Sequence, residues 1–464
     1  MGFARSTRKV LQSWGHPITE LVWESPFRGN LVSSPKVLRY SLAIALLPAA
    51  AHSQSMFRGS PEHLGVYESA PPSLSTVAWK FKTNGRVIST PAVTNDVVYV
   101  GSTDNNLYAV NRADGTLKWK FGTKGWVGSS PAVANGIVYV GSVDGSFYAV
   151  DAATGKEKWS FKTAGEHRFT APGIHGGTPR TEMMADVFDV FLSSPAISSG
   201  VVYFGSGDGN VYALDAASGA LKWKFKTGNV VHASPAISNG VVYIGSWDRN
   251  MYALDAGSGK EIWKFQTGND TVIYNQIGIA SSAAIANGVV YFGCRDGHFY
   301  AVDAKTGEQK WVIDNKGGWV IGSPAVKNGV VYFPTADGRR FKAADAITGA
   351  LKFNIENKAL SFSSPAVVGD RVYFGSSDGW VHALDGTTGA MKSEFQSDGS
   401  KENSSKYIDS LGHFNGTLYP DFTLDGMIIG MHNMFSLGSF LSSAVVSGGV
   451  LYIGSTDGNL YAIK

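Results

Sequence analysis

Three polar stretches of the chain carry the side chains best suited to bind a ligand or a metal ion. They are residues 164–190, 267–281 and 396–440. Their most versatile side chains are His167, Arg168, His175, Tyr274, Asn275, His413 and His432. None of the stretches has the close ligand spacing of a zinc or calcium site, so no metal site is expected. A ligand-binding surface and an ordinary solvated loop surface both stay open.

The three stretches interrupt a unit that occurs eight times along the chain. Its second copy, Ser129 to Phe161, contains the segments Ser-Pro-Ala-Val, Ile-Val-Tyr-Val, Tyr-Ala-Val-Asp and Lys-Trp-Ser-Phe. Alternating β-branched and aromatic residues predict four short strands in each copy. A repeat of about 40 residues with four strands is typical of a propeller blade.

Turn dipeptides separate these predicted strands. Asn135-Gly136 follows the first strand, and Asp144-Gly145 joins the second strand to the third. Such dipeptides are strong hairpin signals. An aspartate recurs at the second turn of every copy, at Asp104, Asp144, Asp208, Asp248, Asp296, Asp337, Asp378 and Asp457. We interpret these aspartates as turn formers that bond their own backbone, because a catalytic group is not needed in every copy.

The two ends of the repeat region complement each other. The last copy ends at Lys464 after its third strand, whereas a matching fourth strand, Val77 to Phe81, precedes the first copy. Pairing the two would remove an open sheet edge. The sequence therefore predicts an all-β, eight-bladed propeller of four-stranded antiparallel blades over residues 76–464, with the eighth blade built from 437–464 and 76–83.

The N-terminal region predicts export. Residues 36–53 begin with basic side chains, continue with an apolar run and end with small residues, which is the order of a secretory signal peptide. A buried helix is the alternative reading. Residues 1–35 are an extension that a start codon assigned too far upstream would explain, and 54–75 are a lead-in segment. We expect a periplasmic or secreted protein that is not a lipoprotein and has no transmembrane anchor.

Composition limits the partners. The formal net charge is +3, from 40 basic and 37 acidic residues without long runs. This balance gives no basic stripe of the kind that follows a phosphate backbone, so no nucleic acid is expected. Cys294 is the only cysteine, which excludes an intrachain disulfide. We expect a monomer.

One motif in the repeat resembles a known family. The pattern Ala-x-Asp-x-x-Thr-Gly-x-x-x-Trp, here Ala149 to Trp159, resembles the PQQ-like repeat of quinoprotein alcohol dehydrogenases and BamB-type proteins. The resemblance covers about residues 57–464 and implies that the tryptophan docks between neighbouring blades. The tryptophans concerned are Trp79, Trp119, Trp159, Trp223, Trp263 and Trp311. Phe353 and Ser393 take this place in two copies, where we expect weaker docking.

Blade topology predicts where a ligand would bind. All three insertions link a fourth strand to the next first strand, which places them on the same face as the Asp-Gly hairpins. Candidates at the strand entries near the axis are Arg86, Trp126, His232 and Trp319. Hairpin residues that break the pattern are Trp247, Arg249, Arg295, His298, Arg339, Arg340, Trp380 and His382. Core packing is an alternative role for each aromatic residue.

The resemblance leaves two functions open. The first is an exported scaffold without catalysis or cofactor, which binds a protein or another envelope macromolecule. The second is a PQQ- and calcium-dependent dehydrogenase that oxidises alcohols or sugars. The dehydrogenases of the family pack a vicinal disulfide against PQQ, and the single cysteine of this chain cannot form one. Because one fold hosts many activities, the sequence favours the scaffold only weakly.

Overall fold

The ring of blades is present as predicted. The computed structural model describes residues 55–268 and 278–464; the predicted extension 1–35, the signal peptide 36–53, Tyr274 and Asn275 lie outside these residues. Eight four-stranded antiparallel sheets make up the ring. The first strand, β1 (Val77–Lys82), belongs to the eighth blade. Blades one to four and the first insertion contain β2 (Ala92–Val93), β3 (Val97–Gly101), β4 (Asn106–Asn111), β5 (Leu117–Gly122), β6 (Ala132–Ala134), β7 (Ile137–Ser142), β8 (Ser146–Asp151), β9 (Glu157–Lys162), β10 (Thr170–Pro172), a 3-10 turn (Ile174–Gly176), β11 (Met183–Ala185), β12 (Ala196–Ser198), β13 (Val201–Gly205), β14 (Asn210–Asp215), β15 (Leu221–Lys226), β16 (Ala236–Ser238), β17 (Val241–Gly245), β18 (Asn250–Asp255) and β19 (Glu261–Gln266).

The remaining blades follow the same order, and the third insertion adds two helices. The elements are β20 (Ala284–Ala286), β21 (Val289–Gly293), β22 (His298–Asp303), β23 (Gln309–Asp314), β24 (Ala325–Lys327), β25 (Val330–Pro334), β26 (Arg340–Asp345), β27 (Leu351–Glu356), β28 (Ala366–Val368), β29 (Arg371–Gly375), β30 (Trp380–Asp385), β31 (Met391–Gln396), α1 (Asp398–Tyr407), α2 (Leu424–Ser436), β32 (Val445–Ser447), β33 (Val450–Gly454) and β34 (Asn459–Ile463).

The N-terminal strand closes the ring. β1 pairs antiparallel with β34, with Lys80 opposite Tyr461 and Phe81 opposite Leu460. The eighth sheet therefore has the order β1-β34-β33-β32. This confirms the predicted composite blade, in which the two ends of the repeat region hold each other in one sheet.

The repeat tryptophans lie between blades. Trp159 Nε1 donates a hydrogen bond to the Ala216 carbonyl oxygen of the next blade at 3.2 Å. The indole ring lies against Gly219, where a Cβ atom would come within 2.6 Å of it and where φ is +74°. The Thr-Gly or Ser-Gly turn is thus needed both for its backbone conformation and for the space that the neighbouring tryptophan occupies. Phe353 packs in the same way against Gly389 but has no N–H group to donate.

A closed ring of hydrogen bonds surrounds the axis. In each blade the backbone N–H of one Ser or Thr donates to the side-chain hydroxyl of the corresponding residue in the next blade, at 2.8 to 3.0 Å. The residues are Thr90, Ser130, Ser194, Ser234, Ser282, Ser323, Ser364 and Ser443. The serine of the Ser-Pro-Ala segment therefore ties the blades together at their inner edges.

The lead-in segment crosses the inner edges of the blades. Backbone N–H groups of Ile237, Ile285 and Val326 donate to carbonyl oxygens of residues 61, 62 and 64 at 2.7 to 2.9 Å. The buried Arg58 donates to the carbonyl oxygens of Pro365 at 2.6 Å and Pro324 at 2.8 Å. These bonds satisfy backbone groups that the short first strands leave unpaired.

Candidate functional site

Two of the three insertions form one structure, which we call the cap and define as residues 164–190 and 396–440. The Thr178 N–H donates to the Phe422 carbonyl oxygen at 3.0 Å, and Thr178 bridges to Thr423. The two insertions are far apart in sequence, so this junction is a product of the propeller topology. The face of the ring on which the sequence places the insertions is therefore covered largely by the cap, in which two insertions are folded together.

Helix α2 fixes the cap to the ring. Thr423 begins the helix by accepting a hydrogen bond from the Gly426 N–H at 3.1 Å. Met427, Met431 and Met434 are buried on one face of the helix. They belong to one apolar cluster with residues of the first insertion and of the blade entries, namely Phe169, Ile174, Met184, Ile88, Trp247, Trp319, Ile321, Phe362 and Leu441. The cap thus closes one end of the axis by hydrophobic packing.

Arg295 anchors the cap from blade five. Its guanidinium carbon lies 4.6 Å from the ring centre of Trp247 and 4.5 Å from that of Trp319. Its Nη1 donates to the Asp186 carboxylate, and both side chains are almost fully buried. The same carboxylate lies 2.6 Å from His175 Nε2. Burial raises the pKa of Asp186, but Arg295 and His175 outweigh it and hold the pKa well below its usual value.

A second buried ion pair lies next to the first. His232 Nδ1 is 2.6 Å from Asp189 Oδ1, and His232 Nε2 is 3.5 Å from Glu166 Oε2. Burial lowers the pKa of His232, but the two carboxylates outweigh burial and raise the pKa to about 10. His232 is therefore a cation at neutral pH. Asp186 and Asp189 together bind one insertion to two different blades.

The structure brings five of the predicted candidates together and leaves the others apart. His232, Trp247, Arg295 and Trp319 are buried beneath the cap, whereas His175 lies within the cap and is nearly buried against them. Arg86 lies 4.8 Å from the ring centre of Phe435, and Arg168 lies 5.3 Å from that of Trp126. The candidates elsewhere are His167, Arg339, Arg340 and His432, which are exposed, Arg249, His298, Trp380 and His413, which are half-buried, and His382, which is buried.

Sequence reasoning missed the acidic partners of these residues. Asp186, Asp189 and Glu166 were visible as polar residues of an insertion, but nothing in their spacing points to Arg295 or His232. The stacking partner of Trp247 was also missed; it is Phe169, at 4.5 Å between ring centres. The one available signal for this cluster was that Trp247 and Arg295 break the repeat on the face where Trp319 was expected at a strand entry.

The space left on the axis is small. A cavity of about 50 Å³ lies within the hydroxyl ring, between Phe57 on one side and Phe191, His232 and Phe362 on the other. Sites for small organic ligands are usually about 300 to 1,000 Å³, whereas about 50 Å³ suits a few water molecules. PQQ, a rigid fused-ring quinone, does not fit this cavity. A planar ring cannot stack on this face of Trp247 either, because Phe169 already covers it. The axis of this structure therefore does not suit that cofactor.

Within residues 55–268 and 278–464, no group of three or more His, Cys, Asp or Glu side chains is arranged to hold a metal ion. In the same part of the chain, no helix has both the length and the apolar character needed to cross a bilayer.

The blades, the inter-blade tryptophans and the closed axis define a propeller of the PQQ-like repeat class. A family model described as outer membrane protein assembly factor BamB matches residues 73–175, 177–313 and 275–419. The chain belongs to this family. It matches no curated protein sequence.

Solved structures with the same fold include a BamB protein and alcohol-oxidising dehydrogenases. BamB from Moraxella catarrhalis is 18% identical, with 83% of this chain and 96% of that chain covered and a TM-score of 0.59. A europium-containing methanol dehydrogenase is 15% identical, with 88% and 91% covered and a TM-score of 0.65. A quinohemoprotein alcohol dehydrogenase from Comamonas testosteroni is 14% identical, with 89% and 80% covered and a TM-score of 0.64. Identities this low show a shared fold and leave the activity open.

Proposed function

We propose that the protein is a non-catalytic binding or scaffold protein of the cell envelope, with its ligand face formed by the insertions 164–190, 267–281 and 396–440. The observation that carries the proposal is the filled axis. Side chains of the cap pack against the blade entries at one end of the axis, and a cavity of about 50 Å³ is left within the hydroxyl ring. A propeller without room for a substrate on its axis has its outer surfaces available for recognition.

The outer surface of the cap supports a binding role. Its exposed large apolar side chains are Met183, Leu411, Phe422, Ile428 and Ile429. Most other exposed apolar residues, such as Leu117, Leu221 and Leu351, recur two residues before the repeat tryptophan or the residue that replaces it, so the blade pattern accounts for them. The apolar residues of the cap have no such structural reason, and exposed apolar groups of this kind mark interaction sites.

The family supports the location in the envelope. The matching family model is described as outer membrane protein assembly factor BamB. The predicted signal peptide would deliver the protein to the cell envelope. Both points concern localisation and leave the partner to be identified by experiment.

Site-specific crosslinking tests the proposed ligand face. A photoreactive amino acid replaces Phe422, which is 65% exposed on the cap, or Ile347, which is 83% exposed at a turn between third and fourth strands. That turn lies on the face of the ring opposite the insertions, so it is a matched control. We expect envelope-protein crosslinks from position 422 and none from position 347. Crosslinks from position 347 alone would contradict the proposal.

A further inference from the structure

The exposed apolar residues of the cap lie across the junction of the two insertions. Met183 belongs to β11 of the first insertion, and Phe422 lies directly before α2 of the second. The main-chain hydrogen bond from Thr178 to Phe422 joins the two insertions at this point. Ile428 and Ile429 follow on α2. The surface therefore exists only when both insertions are folded against each other.

Helix geometry places the exposed side chains of α2 on one side. Asp425, Ile428, Ile429 and His432 are separated by three, one and three residues, which is the spacing of a single helix face. All four are exposed, whereas Met427 and Met431 point into the ring. Ile428 and Ile429 therefore leave apolar surface exposed on the outer side of the helix, since they are 39% and 48% exposed.

Acidic residues accompany the apolar ones. Glu182 precedes Met183, Asp421 precedes Phe422, and Asp425 lies one helical turn before Ile428 and Ile429. Hydrogen bonds from Thr423 lower the pKa of Asp421, so this carboxylate is ionised at neutral pH. Within residues 178–183 and 421–432, Arg180 is the one Lys or Arg side chain beside these three carboxylates. The apolar surface is therefore bordered by an excess of negative charge.

We propose that this surface binds a basic amphipathic segment of a partner protein, with apolar residues on one side and Lys or Arg beside them. The proposal rests on the proposed function and specifies the partner of the same face. Apolar residues of the segment would cover Phe422, Ile428 and Ile429, while its cations would lie near Glu182, Asp421 and Asp425. Charge complementarity of this kind steers association and selects against acidic segments. A helix laid along an apolar surface is a recurrent mode of recognition.

A pair of synthetic peptides provides the test. The first is an amphipathic helix with leucines on one side and lysines beside them, and the second has the same leucines with glutamates in place of the lysines. Binding of each fluorescent peptide to the full chain is measured by anisotropy at low and at physiological salt. We expect the basic peptide to bind and the acidic peptide to bind at least about tenfold more weakly.

Two variants and one control locate the binding. I428S/I429S should weaken the basic peptide by about tenfold or more, because it removes the apolar contact. E182Q/D425N should weaken it by roughly fivefold at low salt, and salt should reduce this difference because exposed charges are screened. I347S, a change at a fully exposed apolar site on the opposite face, should leave binding unchanged. Equal binding of both peptides, or unchanged binding by I428S/I429S, would overturn the proposal.

The crosslinking experiment separates the two proposals. If position 422 crosslinks an envelope protein and the basic peptide does not compete, the cap is a ligand face and the inferred chemistry of the partner is wrong. If position 422 gives no crosslink and the peptide does not bind, both proposals fail.

Discussion

Arg295 of blade five and Asp186 of the first insertion form an ion pair in which both side chains are almost completely buried. The guanidinium also lies between Trp247 and Trp319. The pair is 109 residues apart in sequence and joins the cap to the ring. This ion pair is the contact that most directly fixes the first insertion in place over the axis.

Replacement of Asp186 by asparagine should destabilise the protein strongly. The substitution leaves the Arg295 charge buried without a carboxylate, and breaking a buried pair in this way costs about 3 to 5 kcal/mol. Chemical denaturation followed by tryptophan fluorescence would measure the change in the free energy of unfolding. Asp398→Asn is the control, since it breaks an exposed pair with Lys80 and should cost less than about 1 kcal/mol. Equal losses in the two variants would contradict the assigned role of Asp186.

The pH dependence of stability should depend on His232. Its pKa in the folded protein is raised to about 10, above the unfolded value of about 6.5. The stabilisation by the charged imidazole is therefore complete below about pH 6.5 and is lost progressively as the pH rises towards the folded-state pKa of about 10. Thermal unfolding of the protein and of His232→Gln should be compared over this range. The difference between them should shrink as the pH rises; a constant difference would show that His232 is not charged in the folded state.

The hydroxyl ring should be sensitive to the loss of one member. Ser234 Oγ accepts the hydrogen bond from the buried Ser194 N–H at 2.9 Å. Ser234→Ala leaves that N–H without a partner, which costs about 1 to 3 kcal/mol in the free energy of unfolding. Ser436→Ala at an exposed position is the control and should change stability by less than about 0.5 kcal/mol. A neutral Ser234→Ala variant would show that water replaces the hydroxyl.

A pair of glycine substitutions isolates the contribution of the tryptophan contact between blades. Gly219 and Gly240 have φ angles of +74° and +75°, but a Cβ at Gly219 would lie 2.6 Å from Trp159 and one at Gly240 would have nothing within 4 Å. Gly240→Ala should cost about 1 kcal/mol for its backbone conformation alone. Gly219→Ala should cost at least about 1 kcal/mol more, because the indole ring must move. Equal unfolding midpoints would mean that Trp159 does not require the glycine.

The fold was predictable because its information is local and repeated. The Asn-Gly and Asp-Gly turns set the hairpins, alternation sets the strands, and the unmatched strand at Val77 to Phe81 predicts the closure. The cap was not predictable in the same way. Asp186 meets Arg295, and Thr178 meets Phe422, through contacts that no sequence spacing encodes. Trp247 and Arg295 were identified as exceptions to the repeat and Trp319 as a strand-entry residue, yet their burial beneath Phe169 and His175 depends on the packing of a distant insertion.

The role of the recurring serine in the repeat became clear only from the structure. Serine before proline is visible in most copies, and strand propensity alone explains neither residue. The structure shows that this serine accepts a hydrogen bond from the preceding blade and so closes a ring around the axis. The Ser or Thr hydroxyl of each copy thus connects neighbouring blades, whereas the recurring aspartate of each copy forms a turn.

Titration with PQQ in the presence of calcium tests the central claim most directly, namely that the filled axis makes this propeller a binding protein without catalysis. Cofactor absorbance and dye reduction are followed with the purified protein and a panel of alcohols and aldoses. We predict no stoichiometric uptake at micromolar cofactor and no dye reduction, because the cavity of about 50 Å³ cannot accept the quinone. Uptake of one PQQ per chain with turnover of an alcohol or a sugar would contradict the account.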